Sequence, residues 1–92
     1  MRLNRSSRFK RSFKKLPANI KEDIASKLRI FSRDPFERSL HTHKLSGKLA
    51  DYYAFCLRDG YRVLFDFEKD GVVLLINIGS HDDYKKWERT VI

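Results

Sequence analysis

Two Asp-Gly steps, Asp59-Gly60 and Asp70-Gly71, do most to limit what this 92-residue chain can fold into. Each lies between runs of aromatic and β-branched residues, at positions 52–57, 61–67 and 72–78. A two-residue hairpin turn of type I′ needs positive φ at both central residues, and Asp-Gly adopts that at little cost. The pattern therefore predicts an antiparallel meander of three strands. Alternation in the middle strand puts Tyr61, Val63, Phe65 and Phe67 on one face and Arg62, Leu64 and Asp66 on the other.

The N-terminal half has a helical period. Ser6 or Ser7 can cap a first helix whose stripe is Phe9, Phe13 and Leu16, with Lys10, Arg11, Lys14 and Lys15 between them on an outward basic face. Pro17 closes it. Asn19, with Glu22 three residues on, has the spacing of a capping box for a second helix. That helix carries Ile20, Ile24, Leu28 and Phe31 as its apolar stripe and ends at Pro35. The short link between the two makes them an antiparallel pair. Residues 2–5 would add a fourth strand at the sheet edge, residues 34–50 read as a loop, and Ser80 would cap a short terminal helix carrying Tyr84 and Trp87. The predicted class is α+β, with two N-terminal helices packed on a 3–4-stranded antiparallel sheet, as one domain over 1–92.

The composition supports a folded chain: 41% of residues are hydrophobic, with seven Phe and four Tyr. The longest apolar run, positions 72–76, is far too short to span a membrane, and the basic N-terminus leads into no apolar signal core. A single cysteine, Cys56, cannot form an intrachain disulfide and suits a reducing, cytoplasmic setting. Charge is uneven. Residues 1–50 hold 14 Lys/Arg against 4 Asp/Glu, and residues 51–92 hold 6 against 8. A basic half of this size favours a polyanionic partner, nucleic acid or an acidic protein segment, over a merely solvated helix face.

Several residues have the chemistry for a site. Arg62, in mid-strand on the face away from the helices, would either clamp a phosphate with its planar fork or pair with Asp51 or Asp66. His81, at a strand end and helix start, can exchange protons near neutral pH, or can be a local packing residue. Asp83 stands at capping spacing from Ser80. Tyr84, three residues on from His81, shares its helix face or belongs to the core. His41, His43 and His81 lack the spacing of a metal site, so no metal or other cofactor is expected. Gly47-Lys48 lacks the glycine pattern of a phosphate loop, and Lys48 is better read as a backbone-phosphate contact. Cys56 reads as a small strand residue.

In order and spacing, Ser-x-x-Phe-Lys-x-x-Phe-Lys-Lys-Leu, the His43–Lys48 loop, Tyr61-Arg62-Val63-Leu64-Phe65 and Ile78-Gly79-Ser80-His81-Asp82-Asp83-Tyr84 resemble the RelE/ParE superfamily of bacterial toxins. The resemblance runs from about Leu3 to Tyr84. It implies a toxin neutralised by an antitoxin whose disordered segment folds along it. One branch of the family cleaves mRNA on the ribosome, and the other inhibits DNA gyrase. For the nuclease branch, the resemblance implies that Arg62 stabilises the scissile phosphate and His81 transfers a proton, with His43, Tyr84 and Lys48 assisting. The basic residues Lys10, Arg11, Lys14 and Lys15 would then meet RNA. The chain departs from the family in two places. Trp87 stands where a catalytic tyrosine is expected, and Ala54 and Cys56 occupy the strand that carries the family's lysines. Trp87 leaves room for a protein-binding toxin without chemistry, or for a non-toxic form that only binds an antitoxin.

Overall fold

The computed structural model describes residues 1–90. In chain order its main elements are β1 (Arg2–Arg5), α1 (Ser7–Lys14), α2 (Ala18–Arg33), β2 (His43–Lys44), β3 (Tyr53–Cys56), β4 (Arg62–Phe67), β5 (Val72–Gly79) and α3 (His81–Thr90). The strands form one sheet in the order β1-β5-β4-β3-β2, with β1 parallel to β5 and every other pair antiparallel. Five strands replace the three or four expected. The extra one is β2, where His43 pairs with Ala54 and Lys44 with Tyr53. It lies in the stretch expected to be loop, because two polar residues carry no alternating apolar signal.

Both Asp-Gly steps turn as anticipated. Asp59 and Gly60 have φ of 57° and 78°, and Asp70 and Gly71 have φ of 61° and 72°. Between β4 and β5 the register shifts after Leu64, so that Leu64 faces Asn77 while Phe65 faces Leu75. This bulge brings Leu75 and Ile78, three residues apart, into the same core, which strict alternation would forbid.

The helices are tied to the sheet at their starts. The Ser6 hydroxyl accepts the Phe9 N–H at 3.0 Å and donates to the Ile76 carbonyl at 2.6 Å, which joins the cap of α1 to β5. The expected Asn19 cap is not formed. Pro17 takes the cap position, its carbonyl accepting the N–H groups of Ile20 and Lys21 at 3.0 and 3.1 Å. A proline there has no N–H to lose. Asn19 lies within the first turn, and its amide reaches the Asp59 carboxylate at 3.4 Å.

Phe9, Ile20, Ile24 and Phe31 are buried against Phe55, Val63, Phe65 and Leu75 in the main core. Phe31 stands 4.9 Å from the Phe55 ring and 4.8 Å from the Phe65 ring, centre to centre. The opposite face of the sheet is covered as well. Leu45, Leu49, Ala54, Leu64 and Trp87 close a second, smaller core under α3.

Candidate active site

Residue 79 decides how α3 lies. A Cβ at Gly79 would stand 2.7 Å from the Cβ of Asp83 and 3.0 Å from the Trp87 ring, so only glycine lets the helix approach β5 this closely. The Ser80 hydroxyl accepts the Asp83 N–H at 3.2 Å, and the Asp83 carboxylate accepts the Ser80 N–H at 2.9 Å. Asp83 is therefore occupied as the reciprocal half of a capping box.

This docking carries Tyr84 over Arg62. Arg62 pairs with Cys56 on β3 and Gly79 on β5, and its guanidinium sits 4.6 Å from the centre of the Tyr84 ring. Ion pairs join Lys27 to Asp23 and Arg58 to Asp59, and Arg62 takes part in neither. Neither Asp51 nor Asp66 neutralises Arg62. A cation held by a ring face is positioned yet keeps its hydrogen-bonding fork for an anion. Burial pushes the Tyr84 phenol above its ordinary range, and the charge of Glu88 pushes it further. Arg62 opposes both through its charge and a hydrogen bond without cancelling them. Tyr84 thus keeps its proton at neutral pH and can donate it.

His81 is exposed at the first residue of α3, one turn before Tyr84. Its Cβ lies 4.0 Å from where a Gly60 Cβ would be, beside the β3–β4 turn that leads into Arg62. Arg62, Tyr84 and His81 therefore gather at one end of the sheet. His43 is further off. Through Ala54 and Leu64 it falls on the Arg62 face, two strands across and two residues along. Strand spacing and rise put the two backbones roughly 12 Å apart, a span that a nucleotide rather than a direct contact would bridge. The His43 Nδ1 is 2.9 Å from the His41 carbonyl oxygen. Lys48 is exposed in the turn Gly47–Leu49, whose Leu49 packs with Trp87 in the second core.

Trp87 is only 8% exposed and meets Tyr84 edge-on at 6.2 Å. It is part of the packing under the site rather than a group at its surface. Lys10, Arg11, Lys14 and Lys15 are exposed on α1, which packs along β5. Lys10 and Lys14, with Arg5 and Lys21, rim a groove of about 470 Å³ floored by Phe9, Phe13, Ile24 and Leu28. Lys15 borders a second cavity of about 260 Å³ between α1, the end of β5 and α3. Among the described residues no three His, Cys, Asp or Glu side chains come together as a metal site. No helix there is long and apolar enough to cross a membrane. The Arg62–Tyr84 contact was missed from sequence, which weighed only carboxylates as partners. The His41 carbonyl was missed too, since a backbone group leaves no mark on residue type.

No family model and no curated protein matches the chain. Solved structures do. A YoeB/ParE toxin from Agrobacterium tumefaciens superposes with a TM-score of 0.74 at 20% identity, covering 88% of this chain and 99% of that one. The intact RelBE toxin–antitoxin complex of E. coli gives 0.67 at 27% identity, over 86% and 94%. YafQ from E. coli strain BL21(DE3) gives 0.68 at 15% identity, over 91% and 98%. The chain has the fold of the RelE/ParE toxin superfamily, and these neighbours support its place there.

Proposed function

We propose that the chain is the toxin of a type II toxin–antitoxin module and cleaves mRNA on the ribosome in the cytoplasm. The observation that carries this reading is an arginine fork held over the Tyr84 ring, with no carboxylate pairing it among the described residues and a histidine one helical turn away. In the reaction the ribose 2′-oxygen attacks the adjacent phosphorus as a base removes its proton. The P–O5′ bond then breaks, leaving a cyclic phosphate and a 5′-oxygen that takes up a proton. Arg62 stabilises the charge that develops on the phosphorane oxygens. Tyr84 suits the donor's role or holds a phosphate oxygen, because its phenol stays protonated at neutral pH and leaves no phenolate to act as base. The bases available are His81 and His43, with Lys48 as a phosphate contact. The basic face of α1 would meet ribosomal or messenger RNA.

The antitoxin is proposed as the protein partner. The groove between α1 and α2, apolar in its floor and basic at its rim, fits the acidic, partly disordered segment expected of it. Inducible expression followed by mapping of mRNA 5′ ends tests the nuclease reading. Codon-spaced cuts lost in His81→Ala or Arg62→Ala support it, and growth arrest with intact mRNA overturns it. The rival is a gyrase-inhibiting toxin without nuclease activity, favoured by Trp87 in place of the tyrosine. Gyrase supercoiling that persists in excess purified protein counts against that rival.

A further inference from the structure

His41 and His43 differ in a way that their sequence spacing hides. His41 ends the short helical turn Arg38–Leu40 in the left-handed region, at φ 50° and ψ 39°. A non-glycine residue enters that region seldom, and a β-branched one hardly at all. Its N–H is taken by the Arg38 carbonyl at 3.2 Å, so both ends of the residue are engaged. Its carbonyl oxygen lies 2.9 Å from Nδ1 of His43, the first residue of β2. A carbonyl oxygen can only accept, so a hydrogen bond here requires the proton on Nδ1. In the neutral ring Nε2 then carries the free lone pair. Strand pairing with Ala54 fixes the backbone of His43 at the same time, on the sheet face that carries Arg62.

We propose that His41 is a positioning residue whose left-handed backbone holds His43 in the Nδ1–H tautomer, leaving Nε2 as the nitrogen that takes the 2′-hydroxyl proton. The catalytic half of this inference rests on the nuclease reading above; the tautomer does not. His81 has no comparable restraint among the hydrogen bonds of the described residues, so His43 is the base and His81 is left to act on the leaving-group side.

The test uses the full chain labelled with ¹⁵N, its imidazole signals assigned by comparison with His43→Gln. Wild-type His43 should show a protonated Nδ1 and an unprotonated Nε2. His41→Val, which disfavours the left-handed backbone, should let His43 revert to the Nε2–H form. It should also slow ribosome-dependent cleavage, by up to the roughly 10²–10⁴-fold that a general base contributes. His41→Asn, which tolerates that backbone, should restore both signals. An Nε2–H tautomer in the wild type overturns the proposal outright, whether or not the variants fold. A His41→Val protein with a changed tautomer and an unchanged cleavage rate overturns the catalytic half. If the wild type cuts no mRNA, the nuclease reading fails while the spectrum still decides the tautomer.

Discussion

The two faces of the sheet are built on different scales. On one, α2 presents sixteen residues and α1 eight, and Phe9, Ile20, Ile24 and Phe31 meet Phe55, Phe65 and Leu75 with almost no exposure. On the other, a single helix of ten residues and one turn close a cluster of five buried side chains that includes Trp87. The first face has no free charge in its core. The second places a guanidinium and a phenol at the margin of its packing. Hydrophobic stability grows with the apolar area removed from water, so the larger face carries most of it. The smaller face can then hold a half-buried cation, because the fold does not depend on every contact there.

Two substitutions should separate these roles. Phe31→Ala deletes a fully buried ring that touches two others. It is expected to cost about 3–5 kcal/mol, a large part of a typical stability of roughly 5–15 kcal/mol. Chemical denaturation would show it as a lower midpoint with little change in slope. Arg62→Ala should do the reverse. Removing one group that stabilises developing charge costs about 10²–10³-fold in rate, whereas the denaturation midpoint should hardly move. If Arg62→Ala unfolds the protein while Phe31→Ala does not, the division between the faces is wrong.

The larger face was also the more legible. Phe9, Ile20, Ile24 and Phe31 announce themselves by spacing, and the Asp-Gly turns fix the meander that they cover, because periodicity and turn chemistry are properties of neighbours in sequence. Arg62, His81 and His43 were picked out as residue types suited to acid–base and phosphate chemistry. Their arrangement was not visible. The stacking of Tyr84 on Arg62, two side chains about twenty residues apart in sequence, follows from how closely α3 meets β5. The second core was missed for the same reason. Leu45, Leu49, Leu64 and Trp87 come from three separate segments, and none of these makes a stripe by itself. The Asn19 cap failed because a competing residue, Pro17, could end the preceding chain and start the helix together.

Gly79→Ala attacks the join between α3 and the sheet. The added methyl meets the Cβ of Asp83, which is on the helix's own first turn and cannot swing away. Overpacking of this kind costs about 1–3 kcal/mol. The expected result is a moderate loss of stability together with a loss of activity, since Tyr84 and His81 ride on the displaced helix. Tryptophan fluorescence from Trp87, the chain's one tryptophan, would report the shift. Unchanged fluorescence and activity would mean that α3 is not held by this approach.

The smallest effects lie at the two ends of the pH scale and should divide by face. On the helical side, the Asp23 carboxylate accepts the Arg58 N–H at 2.9 Å and the Lys27 ammonium at 3.0 Å. Burial would raise its pKa, but these partners together hold it below the ordinary value. A depressed folded pKa means a contribution present above the unfolded value, about 4, and lost as pH falls through the folded one. On the other side, burial raises the Tyr84 phenol, so its contribution is whole below about pH 10 and fades as pH rises beyond it. Asp23→Asn should therefore cost about 1 kcal/mol at neutral pH and flatten the acid limb of the stability curve. Tyr84→Phe should leave the acid limb untouched and flatten only the alkaline one. Thermal melts of both variants between pH 3 and pH 11 would show whether the faces respond separately. A Tyr84→Phe protein whose acid limb changed as much as that of Asp23→Asn would show that the two faces titrate as one unit.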